Sequence, residues 1–236
     1  LKVARGTAEN PDSGYRSRFS HDNEIASPGY YSVLLDDYDI KAELTATTRG
    51  GFQRYTFPES NDARIMVDLH PPEEGQPTIV SAAIEQVNDR EIAGYVHRIS
   101  GWNEYKLHFV ARLSIPFDSM GGWAGDQVIE NTTRIETEKD GDFGAFLNFS
   151  TTAGQQVLMK TGISYVSTEQ ARLNMETEMD SFGWEFDAVR SNAKNTWNDL
   201  LSKMQIEGGT EEDRVKFFTN YYRAYSARTI FSDVNG

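Results

Sequence analysis

Residues 20–24 read SHDNE and set His21 and Glu24 three positions apart, in a loop that closes on Pro28-Gly29. An imidazole and a carboxylate at that spacing could hold a metal ion or the hydroxyls of a sugar. Two such groups without a third do not make a metal site, and the Asp and Asn of the same loop can instead bond their own backbone. Trp102 stands in the turn SGWN at 100–103, between strand-like segments that carry His97 and His108. An exposed indole there could stack on a sugar ring, or it could close the edge of a core. Asp233 lies in FSDVNG at 231–236. The DVNG stretch looks like the opening of a calcium loop but carries none of the later ligands. Asn131-Thr132-Thr133 and Asn148-Phe149-Ser150 fit the N-glycosylation pattern, which is too frequent to decide anything. Hydrolysis of a glycosidic bond needs two carboxylates flanking it. With 36 acidic residues in the chain, spacing alone selects no such pair. There is no nucleophile elbow, P-loop, dinucleotide fingerprint or HExxH.

The elements that must position these residues are set by composition and pattern. The chain has 236 residues, enough for one large β domain or a domain with an appendage. It has no cysteine, which removes disulfides, thiol catalysis and cysteine-bound zinc or iron–sulfur. A formal charge of -13 repels phosphate backbones and argues against nucleic acid as a partner. No apolar run approaches the ~20 residues of a membrane span. No signal peptide is visible, and the opening residue is Leu1 rather than Met, which fits a chain whose natural start lies upstream.

Up to residue 167 the sequence reads as antiparallel β. Short runs of Val, Ile, Thr, Tyr and Phe recur between turn residues: 30–35, 40–47, 52–57, 63–69, 78–87, 91–100, 104–114, 132–138, 143–151 and the last strands within 155–167. Pro71-Pro72 ends one run, since proline cannot continue a central strand. Asp140-Gly141 marks a hairpin. About ten strands at hairpin spacing predict a sandwich or barrel rather than βαβ units. Alternation in EYKLHFVARLS places Tyr105, Leu107, Phe109 and Ala111 on one face and Lys106, His108 and Arg112 on the other.

The period then changes. Thr168 is a candidate N-cap for a helix with Glu169 in its first turn. Phe186, Val189, Ala193, Trp197, Leu200 and Leu201 stand at helical spacing within 184–204. After Gly208-Gly209, Thr210 caps a third helix with acids in its first turn. Val215, Phe218, Tyr222 and Tyr225 form one face of that helix, and Phe217 and Tyr221 widen it. A face this wide expects neighbours on two sides. The β domain can supply one of them, so further helices are expected to supply the other, and the piece alone is expected to self-associate or to have this helix disordered or displaced.

The stretch YRSRFSHDNEIASPGYYSVLLDDYDIKAELTATTRGGFQRYTFP at 15–58 resembles the amino-terminal domain of glycoside hydrolase family 92, the calcium-dependent exo-α-mannosidases. FFTNYYRAYSARTIFSDVNG at 217–236 is similar to that family's next landmark, the first helix and loop of its catalytic helical domain. Two departures stand out: Gln53 where a histidine is expected before RYTFP, and Ala227 where a proline often precedes the arginine. The resemblance runs from Tyr15 onward and implies a chain shortened at both ends.

The resemblance implies a mainly β fold: an antiparallel β supersandwich (1–167), linker helices (168–209) and the first helix of an (α/α)6 barrel (210–236). It implies an enzyme that removes terminal α-mannose from glycans with inversion, in a cleft between sandwich and barrel. A glutamic acid would act as acid and an aspartate as base. Calcium would hold the sugar hydroxyls, with acid, base and calcium ligands all beyond Gly236. Within this chain it points only to Asp233 as a substrate contact, with a turn-shaping bond near Asn235 as the alternative. Partners would be mannose-containing glycans and the protein's own C-terminal helical domain, and the location secreted or periplasmic. The competing reading is a carbohydrate-binding or scaffold sandwich without catalysis.

Overall fold

The computed structural model describes residues 14–70, 78–226 and 230–236; Pro71, Pro72 and Ala227 lie outside them. The described residues form thirteen strands and then three helices. The strands are β1 (Glu24–Ser27), β2 (Tyr30–Leu35), β3 (Ile40–Ala46), β4 (Gly50–Phe57), β5 (Ser60–Asp68), β6 (Thr78–Gln86) and β7 (Glu91–Ser100). They continue with β8 (Asn103–Leu113), β9 (Ser119–Ala124), β10 (Gln127–Ile129), β11 (Arg134–Thr137), β12 (Phe143–Thr151) and β13 (Gln155–Ser164). The helices are α1 (Thr168–Met179), α2 (Phe186–Leu201) and α3 (Glu211–Ser226).

Hairpin spacing gives antiparallel neighbours. The large sheet runs β1-β2-β3-β4-β13-β8-β7-β6-β11, and a smaller one runs β10-β9-β12-β5. The last strand, β13, returns to the middle of the large sheet between β4 and β8. Phe57, Ile84, Leu113, Phe143, Leu147 and Val157 fill the space between the sheets. The sandwich expectation therefore holds.

The large sheet is buried on both faces. Phe109 and Ala111 point into the space between the sheets, whereas Val110 joins Phe52, Met175, Phe186 and Val189 under the helices. The alternation read in β8 is present, but its polar face is roofed by α1 and α2 rather than by water. That explains how Arg112 and Lys160 come to lie between layers. Close approach of the roof depends on Gly162, where an added Cβ would fall 2.2 Å from the Ala171 carbonyl oxygen and 2.7 Å from Met175 Cβ. Gly29, at φ +79, turns β1 into β2 directly beneath Ala193.

Three sequence readings change in detail. The cap of α1 is Ser167, not Thr168: Ser167 keeps extended backbone and its hydroxyl accepts from Gln170 N at 3.2 Å, leaving Thr168 as the first helical residue. Strands β1, β9 and β10 had no sequence signal, and 155–167 holds one strand rather than several. Thr210 does cap α3, through a reciprocal pair in which Asp213 N donates to Thr210 Oγ1 at 3.2 Å and Thr210 N donates to Asp213 Oδ2 at 2.9 Å. No residue of 211–225 is buried, and this helix packs on α2 through Tyr222, 4.7 Å from the Trp197 ring.

Candidate functional site

The segment 230–236 leads away from α3 and is seated on one end of the large sheet. Asp233 is only 7% exposed there. Its Oδ2 accepts from Ser164 Oγ at 3.0 Å, and its Oδ1 accepts from Asn174 Nδ2 at 2.7 Å. Asn174 closes the clasp by accepting from Val234 N at 2.9 Å and donating to the Ile163 carbonyl at 2.8 Å. Arg49, in the turn between β3 and β4, donates to the Ser232 carbonyl at 2.6 Å while pairing with Glu178 of α1 at 2.7 Å. The expectation that Asp233 meets sugar hydroxyls thus finds both carboxylate oxygens engaged by the chain's own side chains. The turn-shaping alternative differs as well, since only the backbone carbonyl of Asp233 accepts from the turn, from Gly236 N at 3.2 Å.

Beside this clasp lies a row of rings. Tyr105 of β8 meets Tyr165 at 6.0 Å, and Tyr165 meets Phe231 at 5.5 Å between centroids, with Phe231 largely exposed. Trp102 is fully exposed at the tip of the β7–β8 hairpin, where Gly101 takes φ +58. An indole left in water on a rigid hairpin has the form of a sugar-stacking group.

His21 and Glu24 do come together, at the opposite margin. His21 Nδ1 is 2.5 Å from Glu24 Oε2, and Tyr31 donates to Glu24 Oε1 at 2.6 Å. Those two bonds, Tyr31 first, hold the Glu24 carboxyl below its ordinary value. Glu24 opens edge strand β1 and His21 lies in the 3-10 turn just before it, with β2, β3 and β4 between β1 and β13. Among the described residues, no three His, Asp or Glu gather as a metal ion would require. His97 bonds Glu104 at 2.8 Å, and burial, followed by the charge of Lys106, lowers the His108 pKa.

Two buried carboxylates fix the roof on which the clasp depends. Glu91 accepts from Arg112 Nε at 2.7 Å and from Arg172 Nη2 at 2.8 Å, and Arg112 also reaches Glu176 at 2.7 Å. Glu43 accepts from Arg54 at 2.8 and 2.9 Å and from Tyr30 OH at 2.7 Å, while Arg54 reaches Asp187 of α2 at 2.9 Å. Burial alone would raise the Glu43 carboxyl. The bonds from Arg54 and Tyr30 outweigh that and lower it from 4.5 to about 2. A carboxyl depressed by folding stabilises the fold fully above its unfolded value and loses that contribution as pH falls through the folded one. The stability gap between the natural protein and Glu43→Gln is therefore expected to be constant above pH 4.5 and to close between pH 4.5 and about 2. Urea unfolding of both proteins across that range measures it; a gap that does not change with pH would show that Glu43 holds no charge-dependent contact.

The sequence pointed to Asp233 but not to its partners. One signal existed for Asn174. The buried stripe of α1 is Ala171, Asn174, Met175 and Met179, so a polar amide occupies a core position where it must find partners. Nothing local marks Ser164 or Arg49.

The sequence model described as the glycosyl hydrolase family 92 N-terminal domain matches residues 1–164, and that of the family's catalytic domain matches residues 170–236. The boundary falls at the start of α1, so the second match takes in all three helices. The structure of the family GH92 alpha-mannosidase BT3965 from Bacteroides thetaiotaomicron is 34% identical and superposes with a TM-score of 0.87, covering 100% of this chain and 31% of that one. The inverting mannosidase BT2199 of the same organism is 26% identical, with a TM-score of 0.75 over 88% of this chain and 27% of its own. A curated relative, an uncharacterized secreted glycosidase of Arthroderma benhamiae, is 25% identical over 225 residues, 86% of this chain and 28% of that protein. The chain thus spans about a third or less of the relatives it matches. A sandwich that passes into helices, each part answering to its own half of one family, makes this chain a member of glycosyl hydrolase family 92.

Proposed function

We propose that the protein carrying this chain is an exo-acting α-mannosidase that hydrolyses terminal α-mannosides of glycans with inversion. The observation that carries this reading is the likeness to alpha-mannosidase BT3965 over the whole chain at 34% identity. The inverting mannosidase BT2199 supports the stereochemistry. In this reading the sandwich is the non-catalytic domain and one wall of the cleft, and α3 is the first helix of an (α/α)6 barrel.

Inversion needs an acid and a base about 6.5–9.5 Å apart, with room for water between them. The buried carboxylates here are unsuited to those roles. Glu43 is held ionised down to about pH 2 and cannot give a proton near neutrality. Glu91 is closed off by two guanidinium groups. In this reading the acid and base belong to the rest of the protein. Calcium, when bound, would orient sugar hydroxyls, and in this reading its ligands belong to the rest of the protein; among the described residues no three His, Asp or Glu gather as a site. The secreted relative supports a secreted or periplasmic location. No described helix is long and apolar enough to cross a membrane.

The test follows hydrolysis of an aryl α-mannoside by the full-length protein using proton NMR of the anomeric region. The β-anomer of mannose is expected to appear first, with α growing in later by mutarotation, and this chain alone should release nothing. An α-anomer appearing first would overturn inversion, and no hydrolysis of any α-mannoside would overturn the enzyme reading.

A further inference from the structure

A cavity of about 230 Å3 opens between the β1–β2 turn and the outer half of α2. Arg190, Lys194 and Asn198 line it at i, i+4 and i+8, so one stripe of the helix aims two cations and an amide into the same space. Ser27 adds a hydroxyl from the turn, and the Tyr30 and Trp197 rings complete the wall. No acidic residue lines the cavity, in a chain with 36 acids and a net charge of -13.

Among the described residues neither cation has an ion pair shorter than 4.0 Å. The Arg190 guanidinium carbon lies 3.5 Å from the Tyr30 ring centroid, a contact that holds the cation over the ring at the cavity wall. Its one carboxylate neighbour, Asp187 at 4.0 Å, is held more closely by Arg54 at 2.9 Å. Lys194 has no ion pair among the described residues. A guanidinium, an ammonium, an amide and a hydroxyl lining one small volume form a donor set suited to an oxyanion. Neutral sugars, by contrast, are commonly met by carboxylate acceptors alongside the donors, and no carboxylate lines this cavity.

We propose that this cavity binds a small oxyanion, a phosphate or sulfate group that is free or esterified to a saccharide. The proposal stands independently of the mannosidase reading. Its site lies on α2 and the edge of the large sheet, and it does not require hydrolysis.

Titration calorimetry on the full-length protein at low ionic strength tests it, with inorganic phosphate, inorganic sulfate, glucose 6-phosphate and neutral glucose as probes. At least one anion is expected to bind, glucose is not, and affinity should fall as salt is raised. Lys194→Gln should weaken anion binding about tenfold, which corresponds to about 1.4 kcal/mol, with the melting temperature unchanged in the absence of anion. Lys194→Glu should abolish binding. Tighter binding of glucose 6-phosphate than of phosphate would identify a saccharide ester as the ligand, and equal binding would identify the free anion. Failure of all three anions to bind at millimolar concentration overturns the proposal, as does binding that survives undiminished in Lys194→Glu. Arg190→Gln is a weaker probe because it also removes the ring contact with Tyr30.

Discussion

Replacing Glu91 with alanine is expected to destabilise the fold by about 3–5 kcal/mol, the cost of leaving buried opposite charge without its partner. Glu91 is 3% exposed and, among the described residues, is the only carboxylate paired with both Arg112 of β8 and Arg172 of α1. Without it, two guanidinium groups confront each other between sheet and helix. Glu176 can answer only for Arg112. The loss should fall mainly on α1, because Gly162 lets that helix lie so close to β13 that it cannot shift inward to compensate. Urea unfolding should show the midpoint fall with little change in slope. Replacing Glu91, Arg112 and Arg172 together with apolar residues of similar volume should recover much of the loss, since a buried ion triad is stabilising only relative to its own broken halves. A Glu91→Ala cost below about 1 kcal/mol, the range of exposed pairs, would show that water reaches this cluster.

That cluster also marks where the sequence stopped being legible. Strands 30–35, 91–100 and 143–151 stand where the runs of β-branched and aromatic residues between turns placed them. Strand β9, SMGGWA, had no sequence signal, since two glycines interrupt its run of apolar residues. In the fold they are the positions where Phe146 and Ile135 press on the backbone, and Trp123 beside them is 1% exposed. Glu91, Arg112 and Lys160 look like the solvent face of ordinary half-buried strands. Only the arrival of α1, after the last strand, turns that face inward, and nothing local to β7 or β8 announces it. The aromatic stripe of α3 was read as too wide for one neighbour, and its rings from Phe217 to Tyr225 are half-exposed beside Trp197. Asp233 was legible as a polar group in a turn. Its role depends on Ser164 and Asn174, 69 and 59 residues away.

Asp233→Ala is expected to cost about 2–4 kcal/mol, because it removes the acceptor from two buried donors, each worth about 1–3 kcal/mol when left unmade. Asp233→Asn should cost far less. An amide can turn its oxygen toward Asn174 Nδ2 and its nitrogen toward Ser164, whose hydroxyl can rotate from donating to accepting. The pair of variants separates the two roles open to this residue. If Asp233 anchors 230–236 onto β13 and α1, full-length Asp233→Asn keeps its kcat/KM on an α-mannoside within a small factor, while Asp233→Ala melts earlier and the fraction still folded stays active. If the carboxylate instead reaches the sugar in the assembled enzyme, both variants lose about one to two orders of magnitude in kcat/KM, the scale of one charged contact, whatever their melting temperatures. The clasp favours the first outcome. A carboxylate 7% exposed, with each oxygen already bonded within the chain, must break a bond worth as much as the one it would make to a hydroxyl. Asn174→Ala supplies the remaining check. It removes the link between Asp233, Val234 and Ile163 without touching any carboxylate, so it should reproduce the stability loss of Asp233→Ala on the anchoring reading. A kinetic defect in Asp233→Asn that is absent from Asn174→Ala would sink that reading and return Asp233 to the substrate.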